Sequence, residues 1–285
     1  MAPWKIGMLC ARTGIGHVVR DPLAAVERAV REHPELSMLV GPEWFFLPER
    51  GLASGEDFRN LRERLRQLSR GSSTLLAPGS IAWRGPHGRC ENTALVVSDG
   101  EVLKTYSKRG SGGDARVAAL GGTTFEPGRS DGVFSWTKDG RSYRVGIELC
   151  IDHGARRLFD ETLGERGSHV PVDIQLLSAC DYGRIDGGLA IGPGGLFVFN
   201  DGHQGQKPLP VDVRRFAAEK RVGGGSFTGP DRYWGWKSGQ IAWKTGRASA
   251  PQPLTDDVSL MIFSIAPPAI RASFGARPGG GETVP

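Results

Sequence analysis

The chain has 285 residues, 39% hydrophobic and 24% charged, the proportions of a globular protein with a sizeable core. Its formal net charge of +5 is mild and its arginines are dispersed, which reads as solvated surface rather than a nucleic-acid footprint. Nothing approaches the ~18 consecutive apolar residues of a membrane span, and Cys10, Cys90, Cys150 and Cys180 lie far apart with no C-x-x-C pair, as suits a reducing, cytoplasmic setting.

In chain order, "MAPWKIGMLCARTGIG" has too short an apolar stretch before Arg12 for a secretory signal and reads as a first strand. "DPLAAVERAVREH" predicts a helix opened by Asp21, with Pro22 in the first turn where a missing N–H is harmless. "LSMLVGPEW" is a short apolar strand ended by Gly41 and Pro42. "GEDFRNLRERLRQLSRG" repeats Phe58, Leu61, Leu65 and Leu68 at three- and four-residue steps, a helical period stopped at Gly71. "STLLAPGSIAW" reads as a strand, and "NTALVVSDGEVLKTYSK" as two strands joined at Asp99-Gly100, since glycine accepts positive φ in a hairpin turn. Further on, "YRVGIELCI" is a strand, "GARRLFDETL" a helix, and "VDIQLLSA", "GLFVFNDGHQG" and "VSLMIFSIA" late strands. Helices and hairpins both separate strands, which predicts an α/β protein with mixed sheets, each covered by helices on one face.

A single domain over 1–270 is expected. Within it, 212–254 is rich in charge, Gly and Trp and could be a hairpin extension or a lid. There Phe227, Tyr233, Trp234 and Trp236 would cover a pocket mouth or a subunit contact, or form a satellite packing cluster. Residues 271–285 have the composition of a flexible tail.

Cys150, at the end of "RVGIELCIDHG", could be a buried filler, a metal ligand or a nucleophile. A nucleophilic cysteine needs a base for its proton and a cation for the charge that develops on the attacked group. Glu43 leaves its strand just ahead of Trp44, Phe45 and Phe46, where burial would raise a carboxyl into a base's range. Lys108 closes a hairpin strand, with Tyr106 two residues back on the same side. A zinc site is disfavoured, because Cys150 and His153 find no second pair of ligands with the right spacing. Asp152 is expected to brace the turn after Cys150, and the other cysteines to be packing.

Taken in order, "LVGPEWFFLP", "ENTALVVSDGEVLKTYSKR", "TTFEPG" and "RVGIELCID" resemble the nitrilase superfamily of carbon–nitrogen hydrolases. The likeness covers most of residues 4–180. It implies a four-layer α-β-β-α sandwich, usually paired across a two-fold axis, and a Glu43–Lys108–Cys150 triad that needs no metal or organic cofactor. It further implies that Glu43 takes the thiol proton and Cys150 attacks an amide, carbamoyl or nitrile carbon. Lys108 and the Ile151 backbone N–H would hold the oxyanion.

Three features depart from that pattern. A second acid is expected before the F-x-P-G turn, yet Gly121 and Gly122 stand there, leaving Asp114 as the nearby substitute because Glu126 belongs to the turn itself. The segment between Cys180 and "GLFVFNDG" is short, which should remove part of the pocket and alter subunit pairing. Glu148 stands two residues before the cysteine, where continued strand alternation would put it on the same side as Cys150 as a substrate contact or assisting acid. Trp44 is a further expected pocket residue. The expected activity is hydrolysis of a small amide or N-carbamoyl compound, less readily a nitrile, by a homodimer or higher homo-oligomer without nucleic-acid or membrane partners. The alternatives are an amide-forming or acyl-transferring relative, or an inactive binding protein on the same fold.

Overall fold

The computed structural model describes residues 2–49, 51–163, 170–182, 188–202, 211–219 and 241–269, with backbone alone for 211–212, 215–219 and 241–243. Phe227, Tyr233, Trp234, Trp236 and the tail from 271 lie outside the described residues.

The first half alternates short strands with helices: β1 (Trp4–Ala11), α1 (Pro22–Glu32), β2 (Met38–Val40), α2 (Gly55–Ser69), β3 (Leu75–Ala77) and β4 (Ser80–Arg84). The hairpin β5 (Cys90–Ser98) and β6 (Glu101–Ser107) follows, then α3 (Asp114–Leu120). A second hairpin, β7 (Val133–Lys138) and β8 (Arg141–Leu149), leads into two helical turns, α4 (Ile151–Gly154) and α5 (Arg157–Glu161). The chain then forms β9 (Val172–Ala179), β10 (Ile191–Asp201), β11 (Val211–Glu219), β12 (Ile241–Thr245), β13 (Arg247–Ala248), β14 (Gln252–Pro253) and β15 (Val258–Ile265).

Local chemistry accounts for most boundaries. The Asp21 side chain accepts from Ala24 N and starts α1, and Ser54 and Asp57 form a reciprocal capping box that starts α2. Asp99 and Gly100, at φ 48° and 77°, make the tight turn between β5 and β6. Three expectations need correction. "STLLAPGSIAW" is two strands, because Pro78 has no N–H for a ladder and Gly79 takes φ 109°. "GARRLFDETL" is not one helix: Arg156 sits in left-handed backbone at φ 60° and separates α4 from α5. The hairpin strand β7 and the helix α3 were not anticipated.

Two mixed sheets result. The first has nine strands in the order β13-β15-β1-β2-β3-β5-β4, with β14 on β15 and β6 on β5; the second has six, β12-β11-β10-β9-β8-β7. Strand alternation sorts the apolar residues into layers. From β1, Trp4, Ile6, Met8 and Cys10 join Tyr143, Val145, Ile147 and Leu149 of β8 in the core between the sheets. There Trp4 packs edge-on against Trp136 and Tyr143, with centroids 5.4 and 5.1 Å away. The opposite face of β1, through Leu9 and Ala11, meets α1 and α2. On the second sheet, Leu158 and Phe159 of α5 are buried, and Leu158 packs with Val172 and Leu177 of β9. The layers are thus α-β-β-α. Among the described residues, no helix is long and apolar enough to cross a membrane.

Polar bonds also cross the sheet interface. Asn200 on β10 donates from Nδ2 to Leu9 O on β1 (3.1 Å) and to Val40 O at the end of β2 (2.9 Å).

Candidate active site

Glu43, Lys108 and Cys150 each stand just beyond a strand, after β2, β6 and β8, and the two-sheet stacking brings these exits together. Glu43 is tied to the second sheet by its own N–H, which donates to Ala179 O at the end of β9 (3.1 Å). Behind it, the loops after β2 and β3 touch so closely that a Cβ on Gly41 would lie 2.2 Å from Pro78 O, and one on Gly79 2.3 Å from Pro42 O. Only glycine permits that approach. Trp44 holds φ 59° while its N–H donates to Ser80 Oγ (2.9 Å).

Lys108 is held through its backbone from both sides. Its N–H donates to Asn92 O on β5 and its C=O accepts from Gly128 N, both at 2.8 Å. The F-E-P-G turn therefore seats the lysine backbone, while Glu126 faces away and meets His87.

Cys150 sits in a strained turn. Its backbone is at φ 47°, ψ −109°, a conformation that a non-glycine residue holds at a cost of about 1–3 kcal/mol. The N–H donates to Ser178 O (2.9 Å), and the C=O accepts from His153 N (3.0 Å). Asp152, fully buried, accepts from Tyr106 Oη (2.8 Å), Arg109 N (2.9 Å) and Gly110 N (2.6 Å). It joins the cysteine turn to the loop carrying Lys108. The thiol is half-buried and lies 3.9 Å from Cys180 O.

The side chains close into a ring. Lys108 Nζ is 2.6 Å from Glu43 Oε1 and 2.7 Å from Asp114 Oδ2, all three groups being at most 1% exposed. Asn92 Nδ2 donates to the same Glu43 Oε1 and to Asp114 Oδ1, each at 2.8 Å. Trp44 Nε1 donates to Asp114 Oδ1 at 3.1 Å, and its ring lies 5.7 Å beneath Lys108 Nζ. Asp114, first residue of α3, occupies the place beside the lysine that a second acid would fill.

The electrostatics follow from burial. Glu43 is pushed up to about 7, chiefly by desolvation of its charged form, against the pull of Lys108. Burial works against the Lys108 ammonium, but Glu43, Asp114 and Cys150 outweigh it and hold the lysine well above its ordinary range. The Cys150 thiol is raised by burial and then by Glu43, with Lys108 pulling the other way. Burial thus disfavours the Cys150 thiolate and lifts the neighbouring Glu43 carboxyl toward neutrality.

Glu148 does not join this group. The strand ends at Leu149, the positive φ of Cys150 breaks the alternation, and Glu148 lies fully buried on the outer face of the second sheet. There it accepts from Leu158 N (3.0 Å) and Gln175 Nε2 (2.8 Å) and pairs with His153 Nδ1 (2.8 Å). It is a brace under the turn. Ile151 follows Cys150 directly and is 39% exposed, with its N–H at the start of α4. Asn92 had not been singled out from sequence; its one signal was a polar side chain inside the apolar strand "ENTALVV". No group of three or more His, Cys, Asp or Glu side chains able to hold a metal occurs among the described residues.

No described family and no curated protein matches the sequence. Solved structures do match the fold. Saccharomyces cerevisiae Nit3, a member of branch 10 of the nitrilase superfamily, aligns over 93% of this chain and 91% of its own at 15% identity, with a TM-score of 0.50. A carbon-nitrogen hydrolase from Helicobacter pylori G27 aligns over 93% of this chain and 89% of its own, also at 15% identity, with a TM-score of 0.54. The chain shares the fold of these proteins.

Proposed function

We propose that this chain, built on the fold of the carbon–nitrogen hydrolases, hydrolyses a small amide or N-carbamoyl compound through a thioester on Cys150. The observation that carries the reading is the buried Lys108, clamped between Glu43 and Asp114, beside a cysteine in a strained strand exit. A structural cysteine needs no such company, and a buried charge cluster is a poor way to stabilise a core.

In this reading Glu43 takes the Cys150 proton as the sulfur attacks the carbonyl carbon. Because Oε1 is occupied by Asn92 and Lys108, Oε2 is the oxygen that receives the proton. The negative charge that forms on the substrate oxygen is met by the Lys108 ammonium and the Ile151 N–H. Glu43 then returns its proton to the leaving nitrogen, the C–N bond breaks, and ammonia or an amine departs. Water, deprotonated by Glu43, attacks the thioester carbon, and the released thiolate recovers its proton. Asp114 and Trp44 keep Lys108 in place. The short segment after Cys180 favours one second reading, in which an amine rather than water accepts the acyl group.

The test is an intact mass spectrum after brief incubation with an amide, a carbamoyl compound and a nitrile, each with and without an amine acceptor. A substrate-dependent adduct on Cys150 with ammonia or amine release supports the hydrolase, and a new amide product supports transfer. Turnover by folded Cys150→Ala protein would refute both.

A further inference from the structure

We propose that Asn92 is a positioning residue for the proton transfer between Cys150 and Glu43, acting as the neutral second donor of the ring that orients both carboxylates. The inference rests on the roles given above to Glu43 and Cys150.

Asn92 touches Glu43, Asp114 and Lys108. Its side-chain nitrogen spends one hydrogen on Glu43 Oε1 and the other on Asp114 Oδ1, both at 2.8 Å. Its backbone oxygen accepts from Lys108 N at 2.8 Å. The residue is fully buried, and its Oδ1 has no hydrogen-bond partner among the described residues. An asparagine held only for packing would not leave a buried carbonyl oxygen unpaired while both of its N–H groups meet carboxylates.

The chemistry explains a neutral donor. Glu43 has to accept a proton from sulfur and later give it to nitrogen, so its proton affinity must lie near neutrality. A second cation at position 92 would bind the carboxylate as firmly but push it toward permanent ionisation. An amide fixes the same oxygen with a weaker bias toward the charged form. The charged and ionisable groups facing Glu43 are Lys108 after β6, Asp114 on α3 and Cys150 after β8; Asn92 on β5 adds a neutral amide donor that does not titrate.

Removing the amide withdraws a hydrogen bond that favours ionised Glu43, so the carboxyl should hold its proton to higher pH. The readout is the rate of Cys150 alkylation by iodoacetamide from pH 5 to 9, measured by peptide mass spectrometry, which needs no known substrate. Cys10 and Cys90, which are buried where Cys150 is partly exposed, serve as slow internal references. In the unaltered protein the rate should rise through about pH 7, following Glu43. In Asn92→Ala the midpoint should move up by about one unit, and in the one-donor variant Asn92→Ser by less. In the unaltered protein, the Asn92 side-chain amide protons should also titrate in an NMR spectrum with that same midpoint, so the idea is testable even if neither variant folds. An unmoved midpoint in a folded variant, or amide signals flat across pH 5–9, overturns the role of Asn92. If instead Glu43→Gln retains the rise near pH 7, the assignment of Glu43 as base is what fails.

Discussion

At the scale of single residues, the site's behaviour turns on two buried groups. Glu43 can act as a base only when ionised, so kcat/KM should climb about tenfold per pH unit below about 7 and level off above it, which a pH–rate profile checks. Glu43→Gln should lose ~10²–10⁴ in rate, because the proton transfer is what it supplies. Cys150→Ala should lose all turnover with little change in Tm. Lys108→Ala is a different kind of substitution. It leaves Glu43 and Asp114 buried together without their cation, which should cost about 3–5 kcal/mol. With the lysine gone, Glu43 is raised further, and a carboxyl raised in the folded state stabilises the fold at low pH and loses that contribution as pH rises through its folded value. The deficit of Lys108→Ala, read from denaturant unfolding, should therefore be larger at pH 8 than at pH 5.

At the scale of elements, the loops that deliver these residues depend on backbone shape. Gly79→Ala would place a Cβ 2.3 Å from Pro42 O and 2.6 Å from Phe45 Cβ at φ 109°. Overpacking and left-handed strain together should cost about 2–5 kcal/mol and displace Glu43, seen as a lower Tm with slowed Cys150 alkylation. The same elements show what could be read from sequence. Glu43, Lys108 and Cys150 could be grouped as candidates because each follows a strand, and strand ends are where a chain leaves a sheet. Strand alternation puts Glu148 beside Cys150, but the strand ends at Leu149 and the positive φ of Cys150 reverses the direction. Asn92 was passed over because a strand's pattern reveals its faces, not which distant loops its inward polar side chain will meet. Asp114 was found by elimination, without the helix that carries it.

At the scale of the whole molecule, the alternation of strands and helices pointed to mixed sheets each covered by helices, and the four layers followed only from the resemblance; the order of strands was not legible, since pairing between distant segments leaves little trace in local pattern. The candidate site forms where the two sheets stack, and Asn200 makes two of the polar bonds across that stack. Asn200→Leu should cost about 2–4 kcal/mol by withdrawing two buried hydrogen bonds and their donor, measurable as a lower denaturation midpoint. We also propose that the chain pairs as a homodimer or larger assembly, by its likeness to the nitrilases. Light scattering at micromolar concentration should report at least twice 30.6 kDa, and a monomer would overturn it.

The clamped lysine has a consequence for charge conservation. In the proposed reaction the ionised form of Glu43 brings one negative charge to the thiol, beside the Lys108 ammonium. Attack on a neutral amide moves that charge from carboxylate to substrate oxygen, and collapse of the intermediate moves it back, so its total never changes. No new ion has to be accommodated in a dry interior, and no counterion has to enter or leave between steps. The chemical step should thus be indifferent to ionic strength, with kcat flat as salt is raised.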